Sequence, residues 1–593
     1  MPRELVYQFK EAMKTLKNAS AQEVPPFYSY DVDLWESVSV GCPMDLTMLL
    51  DGIQTGFDAQ IMSTEDSEGI DLSREDVPNL PATTEQKLRT TEWIIEQRAK
   101  GALWGPWKSR DDMPEILDGL RVSPIGTVRK GNHSNTTWEE RKWRVIHHLS
   151  HPRTGFSVNS TIDDAYKFVE YVKFRTVVYM MWLLGPGAWI WTVDAKDAYM
   201  RVPIKRKCYK HMAFKWCNRF YVFTCLSFGL ASACQIYTVF ADWLMWIIIY
   251  NTEKSWWFID GEPVMYHYID DFFGGQPADR EHIAIKQFNA VFFWFAKLGL
   301  PTQASKCKSP RRRLRILGFL YDTLLQMVFI PEEKLIQILG ELNRISCLRR
   351  VTQLQLLQLI GKLRWASVCI YAGPAFVRRL EKAAYSVRHL HHFVEVKTLR
   401  ADLRWWTEMI KRGGEGIKFE DILRDPMKGD IQVLTDASTG DGMGGWNKQG
   451  QWFRYKWTDH PNKGLFMRPE YPDIYWKEMC AIATACLIWG RQWKGKSVTF
   501  WCDNEACVWS MAKGKCSFER EDVMNLIRII CDVANKCGFR PYFIHIKGKE
   551  NLTADALSRF DKIMFHRDTK GIVMDKSETP CLSALNYIIK KCF

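Results

Sequence analysis

The sequence has no C-x-x-C pair and no regular cysteine spacing, although it holds 17 cysteines. Neither a zinc ribbon nor a thioredoxin-like motif is suggested, and reduced, mostly buried thiols in an intracellular protein are expected. The first residues, MPRELVYQFK, lack the apolar run of a signal peptide. A cytoplasmic or nuclear location is therefore expected, and the sequons at Asn132 and Asn135 carry no weight. Long apolar runs are missing too. Val177–Val193 is broken by Gly185-Pro186-Gly187, and Phe240–Tyr250 is too short to cross about 30 Å of hydrocarbon. Both are expected in a core, with no membrane partner. No internal repeat is visible.

What is present is size, aromatic mass and basic charge. At about 100–200 residues per domain, 593 residues make three to five units. The chain carries 26 Trp, 32 Phe and 21 Tyr, enough apolar area for several cores. Its 81 Lys and Arg against 68 Asp and Glu leave a formal charge of +13, which suits a polyanionic partner. Residues 1–82 read as an N-terminal region that is partly a disordered linker, because Asp51–Asp76 is an acidic run. Strands interleaved with helices over 83–330 argue an α/β or α+β core. Helical periodicity takes over in 331–425, strands return in 426–562, and 563–593 form a basic tail without assignment.

Asp194 ends the apolar stretch WIWTVD, and Asp270-Asp271 sit in an acidic turn inside HYIDDFFGG. Like charges at the end of a buried strand repel and lose hydration, so a divalent cation is the economical compensation. Two such ions can activate an attacking hydroxyl and hold a triphosphate. Because neighbours on a strand face opposite ways, Asp270 ranks above Asp271 as a direct ligand.

The order VDAKDAY (Val193–Tyr199), LSFGLASA (Leu226–Ala233), YIDD (Tyr268–Asp271), then LGLPTQASKC and ILGF, resembles the palm motifs of reverse transcriptases. LRVSPIGTVRK and KWRVIHHLS are similar to fingers strands of the same family, so the resemblance runs from about Glu85 to Asp322. It implies a right-hand polymerase with fingers, palm and helical thumb. Asp194, Asp270 and Asp271 become the metal-binding carboxylates. Tyr199 becomes the aromatic residue under the incoming sugar, selecting dNTPs. Arg144 becomes the fingers cation over base and phosphate, with Phe228 and Gly229 in the substrate-binding loop. Lys306 becomes the donor to the pyrophosphate leaving group, and Gly318 the turn at the primer end. Phe228 stands where retroviral enzymes have glutamine, and His148 where many relatives carry aspartate.

A second acidic set follows. Asp436 lies in VLTDAS, Glu478 on the apolar face of a helix, Asp503 at the end of SVTFWCD, and Asp555 in GKENLTADALSR. A carboxylate on a buried helical face is costly without a partner. The series resembles the D-E-D-D set of ribonuclease H. This implies a mixed-sheet domain in which two Mg²⁺ (or Mn²⁺) ions direct water at the RNA strand of an RNA–DNA hybrid. His545 is placed to assist proton transfer.

The stretch QLLQLIGKLRWASVCIYAGPAFVRRL and the GPW segment (Leu103–Trp107) resemble DIRS-type elements, which insert with a tyrosine recombinase; gypsy-type LTR elements are next. No D-[ST]-G protease site, zinc-binding integrase head or recombinase set is found, so a recombinase or integrase is expected on another chain. His389, His391 and His392 read as a basic helix facing solvent or nucleic acid. Basic and aromatic residues interleave at WRVIHH, RRRLRILGF and KLRWAS, as template–primer tracking requires. The implied function is an RNA- and DNA-templated DNA polymerase coupled to ribonuclease H, with RNA template, DNA primer, hybrid and dNTPs as partners. The alternative is a domesticated or decayed copy that binds nucleic acid without catalysis.

Overall fold

The computed structural model describes residues 3–21, 30–62, 77–130, 142–413, 416–466, 472–561, 563 and 578–593. Asn132, Asn135 and the acidic residues from Glu65 to Asp76 lie outside them. Helix and strand are mixed throughout, as expected, and the chain divides into two compact units. One holds 1–317 with 323–325, the other 318–322 with 326–593.

The first unit opens with helices α1 (Arg3–Asn18), α2 (Val32–Ser37), α3 (Leu46–Thr55) and α4 (Thr84–Ala99). The linker expected over 1–82 does not extend to these residues: Leu16, Trp35, Leu49, Ile53 and Phe57 are buried in the core. Asp51 and Asp58 are not free solvated charges either, since Lys205 and Lys207 pair with them at 3.0 and 2.5 Å. Strand β1 (Leu103–Trp107), the hairpin β2 (Ile125–Lys130) and β3 (Lys142–His147), and helix α5 (Phe174–Leu184) follow. Next come β4 (Trp189–Asp194), β5 (Ala213–Trp216), β6 (Arg219–Phe223) and α6 (Ala233–Tyr250), then the short pair β7 (Phe258–Ile259) and β8 (Glu262–Pro263). The unit closes with β9 (Met265–Tyr268), β10 (Asp271–Gln276), α7 (Glu281–Lys297), β11 (Lys308–Arg311) and β12 (Arg313–Ile316).

Its central antiparallel sheet runs β11-β4-β10-β9. Ile190, Trp191 and Val193 of β4 are fully buried, which is why the strand reads as a near-continuous apolar run. The run stops at Asp194, and the residues through Ile204 turn away from the strand. Helix α6 contains the apolar Phe240–Tyr250 segment and begins seven residues before it. With 18 residues it has the length and composition to cross a membrane, and half of it is buried. Its buried face carries Trp243, whose indole N–H donates to Ser39 Oγ at 2.8 Å.

The second unit starts with β13 (Phe319–Asp322), β14 (Met327–Phe329), α8 (Glu332–Cys347), β15 (Arg350–Thr352), α9 (Gln353–Ala366) and α10 (Gly373–Tyr385). Then come β16 (Phe393–Glu395), α11 (Arg400–Arg412), β17 (Ile417–Lys418) and α12 (Phe419–Leu423). A five-stranded mixed sheet, β20-β19-β18-β21-β22, follows. Its strands are β18 (Ile431–Ala437), β19 (Gly442–Asn447), β20 (Trp452–Lys456), β21 (Ser497–Cys502) and β22 (Arg540–His545). Around it lie α13 (Lys463–Phe466), α14 (Ile474–Trp489), α15 (Glu505–Lys513), α16 (Glu521–Cys537) and α17 (Leu552–Ser558). The tail ends in a helix, Leu582–Cys592, that the sequence reading left unassigned. Leu585 and Ile588 bury it in the same core as α14 and α16. That core also takes in α9, α10 and α11, so the helical segment and the mixed sheet share one interior.

Candidate functional site

Two acidic sites emerge, one in each unit. In the first, β9 and β10 form a hairpin whose two-residue turn is Ile269-Asp270. Across the sheet Asp271 is the register partner of Asp194, and the Asp270 carbonyl accepts the Ala195 N–H at 2.9 Å. All three carboxylates thus meet at one sheet end. Because Asp270 lies in the turn, strand alternation does not rank it above Asp271.

Burial and the charges of Asp270 and Asp194 push Asp271 up to about 7. Burial also raises Asp270, with Asp194 adding to it. The Lys306 ammonium lies 2.6 Å from Asp194 Oδ2. Burial disfavours that ammonium, but the bond to Asp194 and the two neighbouring carboxylates outweigh it and raise its pKa. Lys306 and Arg144 together still leave three crowded carboxylates with net negative charge, and hard oxygen donors of this kind suit Mg²⁺ or Mn²⁺.

Arg144 projects from β3 with its guanidinium 4.6 Å from the Phe228 ring centre. Tyr199 meets the same ring edge-on at 5.1 Å, and its hydroxyl lies 3.0 Å from Cys234 Sγ. Gly229 permits this arrangement. Its φ is +122°, and a Cβ there would stand 1.9 Å from the His147 carbonyl oxygen, so β3 is pressed directly onto this loop. His148 takes no part in the acidic cluster; its N–H donates to the Pro124 carbonyl at 2.7 Å. Gly318 belongs to the second unit, where it precedes β13 with φ +89° and faces the Trp365 ring.

In the second site Asp436 ends the buried strand β18, and Glu478 projects from α14, which is buried nearly all round. Glu478 Oε1 accepts the Ala437 N–H at 3.1 Å, and Oε2 faces the Cys502 thiol at 3.9 Å. Ligand atoms of Glu478, Cys502 and Asp503 lie within 4.8 Å of one another. Helix α17 brings Asp555 alongside, and Arg559 Nε holds its Oδ1 at 2.6 Å. Asp436, Glu478, Asp503 and Asp555 line one open cleft of about 550 Å³. Burial raises Asp436 to about 6, opposed by the Ser558 hydroxyl that donates to it. Burial raises Glu478 further, with Cys502 and Asp436 next, and it raises Asp503 as well. His545 ends β22 with Nε2 3.1 Å from the Asp503 carbonyl oxygen, so it meets that residue's backbone.

Sequence reasoning missed Ser558, Arg559 and Cys502 as partners of these acids. The spacing of Asp555, Ser558 and Arg559 on one short helix was the available signal. His389, His391 and His392 do not form a helix. Helix α10 ends at Tyr385, and the carbonyls of Leu390 and His392 accept the first N–H groups of α9.

Residues 136–321 match the protein family described as reverse transcriptase (RNA-dependent DNA polymerase). A search of curated proteins finds no match. Three solved structures of a foamy viral protease-reverse transcriptase are similar to the chain. One, described as dRH in complex with ds DNA, shares 15% identity at a TM-score of 0.45, covering 92% of this chain and 79% of that one. Another, in complex with RNA/DNA hybrid, shares 15% identity at a TM-score of 0.43, covering 90% and 65%. A third, in complex with dsDNA, shares 15% identity at a TM-score of 0.43, covering 92% and 94%. Over residues 136–321, then, the chain is similar to reverse transcriptases, described as RNA-dependent DNA polymerases.

Proposed function

We propose that the chain copies RNA, and then DNA, into DNA at Asp194, Asp270 and Asp271, and cleaves the RNA strand of the resulting hybrid at Asp436, Glu478, Asp503 and Asp555. The observation that carries the first half is the register of Asp271 opposite Asp194, with Asp270 in the adjoining turn, inside the segment that matches the polymerase family. Two divalent ions per site, Mg²⁺ or Mn²⁺, would supply charge neutralisation and an activated oxygen nucleophile. The three palm carboxylates would hold them at the first site. Arg144 braces base and phosphate from above Phe228, and Tyr199, fixed by Cys234, blocks the space of a 2′-hydroxyl. Lys306 holds a proton within reach of the leaving group. At the second site Ser558 and Arg559 fix Asp436 and Asp555, while the Ala437 amide orients Glu478. The motifs around both sites support a DIRS-type retroelement source and a cytoplasmic or nuclear place of action, with recombination left to another chain.

Primer extension on an RNA template with Mg²⁺ and dNTPs tests the first half. Extension by the wild type that vanishes in Asp270→Asn is expected. A folded wild type that binds primer–template without extending it would favour the non-catalytic binder. Cleavage of a labelled hybrid, lost in Glu478→Gln while extension persists, tests the second.

A further inference from the structure

Ile269, in the turn that carries Asp270, has φ +54°. A β-branched residue in the left-handed region is disfavoured, and it persists only where its surroundings over-determine it. The surroundings here centre on His267, two residues earlier on β9. Its Nδ1 lies 3.3 Å from the Ile269 carbonyl oxygen, and its Nε2 lies 2.8 Å from Asp242 Oδ1 on α6. The side chain is only 6% exposed, and the ring stacks on Phe272 with centres 5.3 Å apart, which sets its plane. Both oxygens are acceptors, and the ring spans the gap between them with one nitrogen facing each. One nitrogen meets the strained turn and the other a helix anchored in the core.

We propose that His267, backed by Asp242, is a positioning residue: it ties the Ile269-Asp270 turn to α6 and so fixes Asp270 and Asp271 for their metal ions. The inference rests on the polymerase reading for what the carboxylates do, but the tie itself can be measured without turnover. Hydrogen exchange of peptides covering 265–276 is compared in the wild type, His267→Ala, Asp242→Ala and the double variant. Each single change is expected to speed exchange at the turn by about tenfold or more, and the double variant to add little, because both remove one connection.

Asp242 is half-exposed, so its replacement leaves the core intact even if His267→Ala folds poorly. Mn²⁺ affinity read by electron paramagnetic resonance should fall in both single variants. The turnover number for extension should drop while primer–template affinity holds. His267→Gln, which can still donate to one of the two oxygens, should recover part of the loss. Unchanged exchange in both single variants, or fully additive effects, would overturn the proposal. A wild type whose turn responds as expected but which neither binds Mn²⁺ nor extends a primer would sink the polymerase reading and leave the tie standing.

Discussion

Asp436 illustrates what the acidic residues cost the protein before any ion binds. In the unfolded chain it ionises near 3.8, and in the folded chain near 6. As pH rises the unfolded state therefore loses its proton first. The native state is disfavoured progressively from about pH 4, and the penalty is complete above about pH 6. Asp436→Asn should stabilise the metal-free protein at pH 8 by about 1–3 kcal/mol and clearly less at pH 5. Thermal melts at the two pH values check this, and equal gains at both would assign the effect to packing. The same sign at Asp271, held up at about 7, makes metal loading compete with a proton. Mn²⁺ affinity at the polymerase site should rise between pH 6 and pH 8 in calorimetric titrations, and a flat profile would contradict that. The seven carboxylates were legible in the sequence because an acid ending an apolar strand, or facing inward from an apolar helix, is physically conspicuous. His267 and Asp242 were not, since they lie 25 residues apart and each is ordinary in its own segment.

At the scale of elements, β19 shows why some structure escaped the sequence. The string GMGGWN offers little β propensity, yet it forms a strand between β18 and β20. Its glycines serve a close approach: a Cβ at Gly444 would stand 2.4 Å from Leu557 Cβ, so α17 lies directly on the strand. That contact sets the distance of Asp555 from Asp436. Gly444→Val should push α17 outward and reduce hybrid cleavage by about tenfold or more, with primer extension unchanged. Equal loss of both activities would point to general unfolding instead. The C-terminal helix was missed for a different reason. Its apolar stripe is short, and its partners α14 and α16 lie roughly 50–100 residues upstream, so only tertiary packing reveals it. The long helices α8, α11 and α16 were readable because each carries one apolar face that repeats over several turns.

For the whole molecule, the second unit matters most. A break near 425, natural on composition, would cut through a continuous interior. Arg379 and Arg528 from opposite sides of that point converge on the buried Asp402, and Arg528 and Arg379 also reach Glu521. Removing one side would strand buried charge, which is strongly destabilising. A fragment of residues 318–593 should unfold cooperatively, whereas 426–593 should be soluble only as a loosely packed or aggregated species. Circular dichroism melts and dye binding distinguish these outcomes, and a cooperative melt of the shorter fragment would refute the shared interior. The position of α17 and the terminal helix also has a consequence in time. Asp194, Asp270, Asp271 and Lys306 all precede residue 310, while the second acidic set waits for Asp555, and its interior closes only with Leu585 and Ile588. On a ribosome the first acidic site can therefore be in place well before the second. Under the proposed function, a premature stop late in the message would yield a chain that writes DNA but leaves its RNA uncut.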